Sequence, residues 1–127
     1  MMRGEIIATA REMLGTPFRV GMSLKNVGCD CAGLIEIILR QLGQEVPKRN
    51  QSLAEALIIA MDETKTQSVG DVVLFKSTAN MADFHCGILT EKNTIIHAHW
   101  SQGVVENSFG NWFKKRVVAF YSFKGVE

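Results

Sequence analysis

The hydrophobic pattern of the chain changes about halfway along. Up to residue 61 apolar residues recur at helical spacing, and after Gly70 they come in short runs of strand length. Ile6, Ile7, Ala10, Met13 and Leu14 share one helical face over residues 2–14, and Gly15 follows as a stop. Residues 16–30, which include Pro17, Gly21 and Gly28, are irregular. A second helix is predicted over 31–42. Its apolar face is Leu34, Ile35, Ile38, Leu39 and Leu42, Gly43 ends it, and Asp30 takes the N-cap position. A third helix is predicted over 52–61, with Ser52 and Glu55 at capping-box spacing. Strands are predicted at 71–75, 86–89, 94–99, 103–106 and 117–121. Their connections are short, so the sheet of about five strands is expected to be mostly antiparallel. Helices followed by strands predict an α+β fold.

Composition narrows the class. A length of 127 residues fits one domain, 1–127, and leaves no room for two. A chain of this size buries roughly two-thirds of its unfolded surface, so it needs neither disulfides nor metal to fold. Lys plus Arg number 14 against 13 for Asp plus Glu, a balance that gives no support for a nucleic-acid surface. The basic run at Lys114, Lys115 and Arg116 reads as a solvated strand entry. No stretch approaches the ~20 apolar residues of a spanning helix, so no membrane insertion is expected. Arg3, Glu5, Arg11 and Glu12 interrupt any apolar signal segment, which predicts synthesis in the cytoplasm without a signal peptide.

Three cysteines, Cys29, Cys31 and Cys86, are an odd number, so at least one thiol is expected to be free. Cys31 falls at the first position of the second helix. Unpaired N–H groups and the helix dipole favour negative charge there, thiol pKa values fall, and the thiolate is the nucleophile. The N–H of Cys31 could face a developing oxyanion, and Gly28 and Gly33 could admit a substrate backbone. A lone cysteine at a helix start is more often structural. The Asp30 charge also opposes a thiolate unless helix N–H groups or a substrate amine occupy it.

All three histidines lie within 85–99. With a three-residue turn at 91–93, position 85 faces 99 and 97 lies on the diagonal, so His85, His97 and His99 share one face. One imidazole could take the thiol proton and another orient it; the register does not choose between His97 and His99. A metal site ranks lower. Cys-x-Cys and adjacent His-Cys are not the usual zinc spacings, and strand neighbours His85 and Cys86 should point to opposite faces. No phosphate-binding loop or His-Glu-x-x-His motif is present, and no cofactor is expected. Phe109, Trp100 and Trp112 read as core before cleft, and Lys48 and Arg49 could meet substrate carboxylates but read first as exposed loop charges.

Five segments in order carry a resemblance: Ala10-Arg11 with Leu14-Gly15-Thr16-Pro17-Phe18-Arg19, Asp30-Cys31-Ala32-Gly33-Leu34, Gly70-Asp71-Val72-Val73-Leu74-Phe75, His85-Cys86-Gly87-Ile88, and Ile96-His97-Ala98. Together they resemble the NlpC-type cell-wall cysteine peptidases, in particular the short phage-encoded branch. The resemblance implies a papain-like α+β fold with the cysteine helix packed on a sheet. It implies Cys31 as nucleophile, His85 as base and His97, rather than His99, as the third polar residue. Asp30, Phe18, Ala32 and Gly33 become the expected substrate-contacting residues, with Asp30 holding a substrate amine. Family members cleave peptidoglycan stem peptides, usually between D-γ-glutamyl and a diamino acid. Many carry Tyr where this chain has Phe18, a departure shared with the phage-like branch. A phage-tail or gene-transfer particle, with other particle proteins as partners, is therefore the implied setting. The competing readings are a non-catalytic tail domain and an amidase or acyltransferase on the same scaffold.

Overall fold

The computed structural model describes residues 2–49, 52–76 and 84–127. Its elements, in chain order, are α1 (Arg3–Glu12), β1 (Ser23–Leu24), β2 (Gly28–Cys29), α2 (Cys31–Gln41), α3 (Leu53–Ala60), β3 (Met61–Thr64), β4 (Val72–Lys76), β5 (Phe84–Leu89), β6 (Thr94–His99), β7 (Gly103–Ser108), α4 (Asn111–Lys114) and β8 (Val117–Phe123). β1 and β2 make a small hairpin. The other strands form one sheet in the order β3-β8-β4-β5-β6-β7, with all neighbours antiparallel.

The fold is α+β, as the pattern predicts, but the sheet has six strands rather than five. The additional strand is β3. Only Met61 is buried in it, and Asp62 and Glu63 are exposed, so it has no apolar alternation to reveal it. It forms because β8 offers an open edge, where Met61 pairs with Phe123 and Thr64 with Phe120. Charged residues suit such an edge, since they discourage further strand addition. The third helix consequently stops at Ala60, and Met61 is already extended.

Both faces of the sheet are covered. Ile6 and Ala10 of α1 and Leu34, Ile38 and Leu39 of α2 pack on the face carrying Val72, Leu74, Cys86, Ile88 and Ile96. Phe109 and Phe113 cover the opposite face over Val73, Phe75, Leu89 and Ile95. Two covered faces explain why β4 is an unbroken apolar run. Each fully buried Leu, Ile or Phe contributes roughly 1.5–3 kcal/mol of burial energy. Phe109 is core, whereas Trp100 and Trp112 are 75% and 46% exposed. Arg116 does not simply meet solvent: its guanidinium lies 4.1 Å from the Trp112 ring centroid and donates to the Trp112 carbonyl at 2.7 Å.

One buried carboxylate ties the layers together. Asp71, fully buried, accepts from Arg3 Nη1 at 2.7 Å, Ser122 Oγ at 2.6 Å and the Ser68 N–H at 2.9 Å. It joins α1, the start of β4 and the end of β8. Among the described residues, no helix is long and apolar enough to cross a membrane.

Candidate active site

The site is built at the start of α2. Asp30 is extended (φ −101°, ψ −172°), and its Oδ1 accepts from the Gly33 N–H at 2.7 Å, so the helix begins at Cys31 as predicted. The same carboxylate accepts from the Gly21 N–H at 2.8 Å and from Arg49 Nη1 and Nη2 at 2.7 and 2.9 Å. Arg49 also donates to both Glu36 oxygens, at 2.9 and 2.8 Å. Burial pushes the Asp30 carboxyl up, but the Arg49 guanidinium and the two N–H groups outweigh it and hold the pKa below the usual range.

One expectation is corrected here. Arg49 is not an idle loop charge; it clasps the cap of α2 to Glu36, which lies on the second turn of the helix. Asp30, the residue the resemblance implies for a substrate amine, receives four hydrogen bonds from the chain itself.

Gly33 is buried, and a Cβ there would stand 2.1 Å from the Met22 carbonyl oxygen. The chain's own packing under the first turn requires glycine there. Ala32 is half-buried. It opens on a cleft of about 250 Å³ between α2 and α3, with Ile35, Leu39 and Leu53 in its walls and Glu36 and Arg49 at its rim. Phe18 is half-buried, packs against the core, and bridges Cys29 through the backbone.

Cys31 is partly buried, and its thiol hydrogen-bonds both Cys86 and the imidazole of His85. The pKa of Cys31 is lowered to about 5. The Cys86 hydrogen bond is the largest cause; the His85 hydrogen bond and charge add to it, while burial and the Asp30 charge oppose it. Cys86 is pushed the other way, well up, by that same hydrogen bond and by burial. Burial raises Cys29 to about 11. One of the three thiols is therefore ionised at neutral pH.

Strand alternation predicts that His85 and Cys86 cannot share a site, yet both reach Cys31. The β5–β6 ladder covers only Ile88↔Ile96 and Leu89↔Ile95, so the strands splay before His85. Gly87 sits at the fork, where a Cβ would meet the Ile95 side chain at 2.7 Å and the Ile96 carbonyl at 2.8 Å. Cys86 lies on the helix-covered face, and His85 lies on the other, its ring stacked on Phe75.

The structure separates the two histidines that the register could not. His97 is 8% exposed, and its Nε2 is 2.7 Å from Asn107 Oδ1. His99 lies outward, its Nδ1 accepting from the Ser101 N–H at 3.1 Å and its ring stacked on Trp100. Phe75 stands by both inner imidazoles, with ring centroids 6.0 Å from His85 and 6.4 Å from His97. Burial lowers the His97 pKa, and the charges of His99 and His85 lower it further; the Asn107 bond acts in the opposite direction. His97 is thus a neutral neighbour of His85 near pH 7. Asn107 was not among the sequence candidates. It falls one residue beyond the predicted strand 103–106, and β7 continues to Ser108. Among the described residues, no group of three or more His, Cys, Asp or Glu is placed to hold a metal ion.

The thiol gives a direct pH prediction. Iodoacetamide labelling of Cys31 in the folded protein is expected to be half-maximal near pH 5, falling as pH drops through that value because the thiolate is protonated. Labelling that rises only above about pH 8, as for an unperturbed thiol, would contradict the site electrostatics.

The NlpC/P60 family model matches residues 15–122. The chain is 31% identical over 98 residues to the "Probable endopeptidase NlpC" of Escherichia coli K12, covering 76% of this chain and 62% of that protein. It is 34% identical over 107 residues to the "Murein DD-endopeptidase MepS/Murein LD-carboxypeptidase" of the same strain, covering 80% of this chain and 53% of the relative. The chain therefore spans only part of the length of these relatives. Among solved structures, the NlpC/p60 domain of the peptidoglycan hydrolase SagA superposes with a TM-score of 0.65 at 22% identity, covering 95% of this chain and 98% of that domain. That likeness speaks for the fold, and the matched residues 15–122 include Cys31, His85 and His97. The chain belongs to the NlpC/P60 family.

Proposed function

We propose that this protein is a cysteine peptidase that hydrolyses amide bonds in peptidoglycan stem peptides, at the bond between a D-γ-glutamyl residue and a diamino acid. The observation that carries the reading is the Cys31 thiol hydrogen-bonded to the His85 imidazole at the start of α2. The names of the relatives, a probable endopeptidase and a murein DD-endopeptidase, support the substrate class.

In this reading the Cys31 thiolate attacks the scissile carbonyl carbon, with His85 as imidazolium beside it. The N–H of Cys31, in the first helical turn and without a helical acceptor, faces the oxyanion. The C–N bond breaks as His85 donates its proton to the leaving amine, which leaves a thioester on Cys31. Neutral His85 then takes a proton from water, the hydroxyl attacks the thioester carbonyl, and the thiolate departs. His97 orients His85 and is itself held by Asn107. Ala32 and Phe18 border the substrate path, and the cleft beside Ala32 receives an adjoining part of the peptide. Asp30, held in place by Arg49 and the helix cap, is the residue that meets the substrate's free amine.

Phe18 is the residue that favours a phage-encoded branch. The bacterial relatives give that setting no support, and no particle partner is proposed. The test is mass spectrometry of defined muropeptides after incubation. The expected product pair carries a new amine on the diamino acid and a new carboxylate on the D-glutamyl residue. Intact muropeptides after prolonged incubation with fully folded, thiol-reactive protein would reject the reading. A transfer product in place of the free acid would move the assignment to an acyltransferase.

A further inference from the structure

The proposed peptidase chemistry uses one sulfur, but a second lies against it. Cys86 is fully buried, 0% exposed, on the helix-covered face of β5. Its Sγ is 3.4 Å from the Cys31 carbonyl oxygen, and its thiol hydrogen-bonds the Cys31 side chain. The two residues are 55 positions apart in sequence, so the packing of α2 on β5 is what brings the sulfurs together. An apolar side chain would fill the same place without offering a thiol to the nucleophile.

We propose that Cys31 and Cys86 form a reversible oxidation site, in which a hydroperoxide oxidises Cys31 and Cys86 then closes a disulfide that takes the nucleophile out of action. The oxidation itself needs no peptidoglycan; only the loss of hydrolysis that it entails rests on the peptidase reading.

The order of events follows from the surroundings of each sulfur. Cys31 is partly buried but keeps some exposure and meets the oxidant first, whereas Cys29 and Cys86 are fully buried. The Cys31 thiolate attacks one oxygen of the hydroperoxide. An S–O bond forms and the O–O bond breaks. The other oxygen takes a proton and leaves as water or an alcohol. The sulfur has lost two electrons to the peroxide and is now a sulfenic acid. The Cys86 sulfur then attacks the sulfenic sulfur. An S–S bond forms, the S–O bond breaks, and the hydroxide leaves as water with the Cys86 proton. A dithiol reductant restores both thiols by exchange. Without Cys86 the sulfenic acid stays open to a second peroxide and passes to sulfinic and sulfonic acids, which thiols do not reverse. Cys29 is the rival partner, but it packs beneath α2: a Cβ on Gly33 would lie 3.1 Å from the Cys29 Cβ.

The test uses the whole chain, as wild type and as Cys86→Ser, Cys86→Val and Cys29→Ser variants. Each folded protein is treated with hydrogen peroxide, at one equivalent for the mass map and in excess for the recovery measurement, then blocked with N-ethylmaleimide in denaturant, weighed and peptide-mapped. The wild type is expected to lose two hydrogen masses, keep one blockable thiol of its three, and yield a peptide linking residues 31 and 86. Dithiothreitol should then return its iodoacetamide reactivity at mildly acidic pH. The Cys86 variants should instead gain oxygen at Cys31 and, each scored against its own untreated sample in alkaline buffer, recover about tenfold less of their labelling than the wild type. Cys29→Ser should behave as wild type. Oxygen addition at Cys31 in the wild type without the link, or a link to Cys29, overturns the proposal. So does recovery of the Cys86 variants equal to wild type. Cys86→Val keeps an apolar side chain in the buried site if the serine variant fails to fold, and the wild-type map decides without any variant. Because every readout is a mass or a thiol count, failure of peptidoglycan hydrolysis would sink the peptidase reading and leave this result standing.

Discussion

Cys31→Ala is expected to lower stem-peptide hydrolysis by about ten-thousand-fold or more, with the fold retained. No other group can replace the sulfur. Cys86 is buried and held as a thiol by its neighbour, and burial keeps Cys29 protonated. The structural cost is small for a physical reason. Alanine is a good helix former, and the cap that starts α2 is made by Asp30, not by Cys31. The loss is the contact with Cys86 and its hydrogen bond, worth about 1 kcal/mol. That corresponds to a melting shift of about 4 °C for a chain of this size. Muropeptide turnover and a thermal melt on the same sample check both halves. Turnover by the alanine variant within about tenfold of wild type would remove Cys31 from the mechanism.

Asp71→Ala should produce the largest loss of stability, about 3 kcal/mol, or about 10 °C in melting temperature. The carboxylate is fully buried and joins three parts of the chain through Arg3, Ser122 and Ser68. Its removal strands the partly buried Arg3 guanidinium beside β4 and leaves the Ser122 hydroxyl and Ser68 N–H without their acceptor. The effect on chemistry should be slight, because Asp71 precedes β4 while Phe75, which faces the imidazoles, lies towards its other end. Urea unfolding of wild type and variant measures the difference, and Cys31 labelling at 20 °C, a chosen temperature, reads the integrity of the site. A stability change below about 1 kcal/mol would mean that Asp71 is not the tie described.

Much of the fold was open to reading along the chain because its signals are local. The apolar spacing of Ile6, Ile7 and Ala10, and of Leu34, Ile35, Ile38 and Leu39, marks α1 and α2, and these residues are buried where the pattern puts them. The caps at Asp30 and Ser52 both accept the N–H three residues on. A cap and a helical face act within one or two turns, so a few residues of sequence suffice. β3 escaped because an edge strand with one buried residue has no alternation, and the four residues of α4 are too few to show a period.

The sequence by itself determined an α+β chain with a thiol at a helix start and histidines gathered on adjacent strands. The tertiary structure decided which of these groups meet. It closed Arg49 over Asp30 and Glu36, 19 and 13 residues away, and set Cys86 against Cys31 across 55 residues. It also splayed β5 from β6 at Gly87 and gave His97, not His99, a partner in Asn107. Such contacts depend on how α2 lies across the sheet and where a ladder ends, and neither leaves a mark in the spacing of neighbouring residues. The state of a titrating sulfur follows from those distant contacts, whereas the place of the sulfur on a helix follows from the residues beside it.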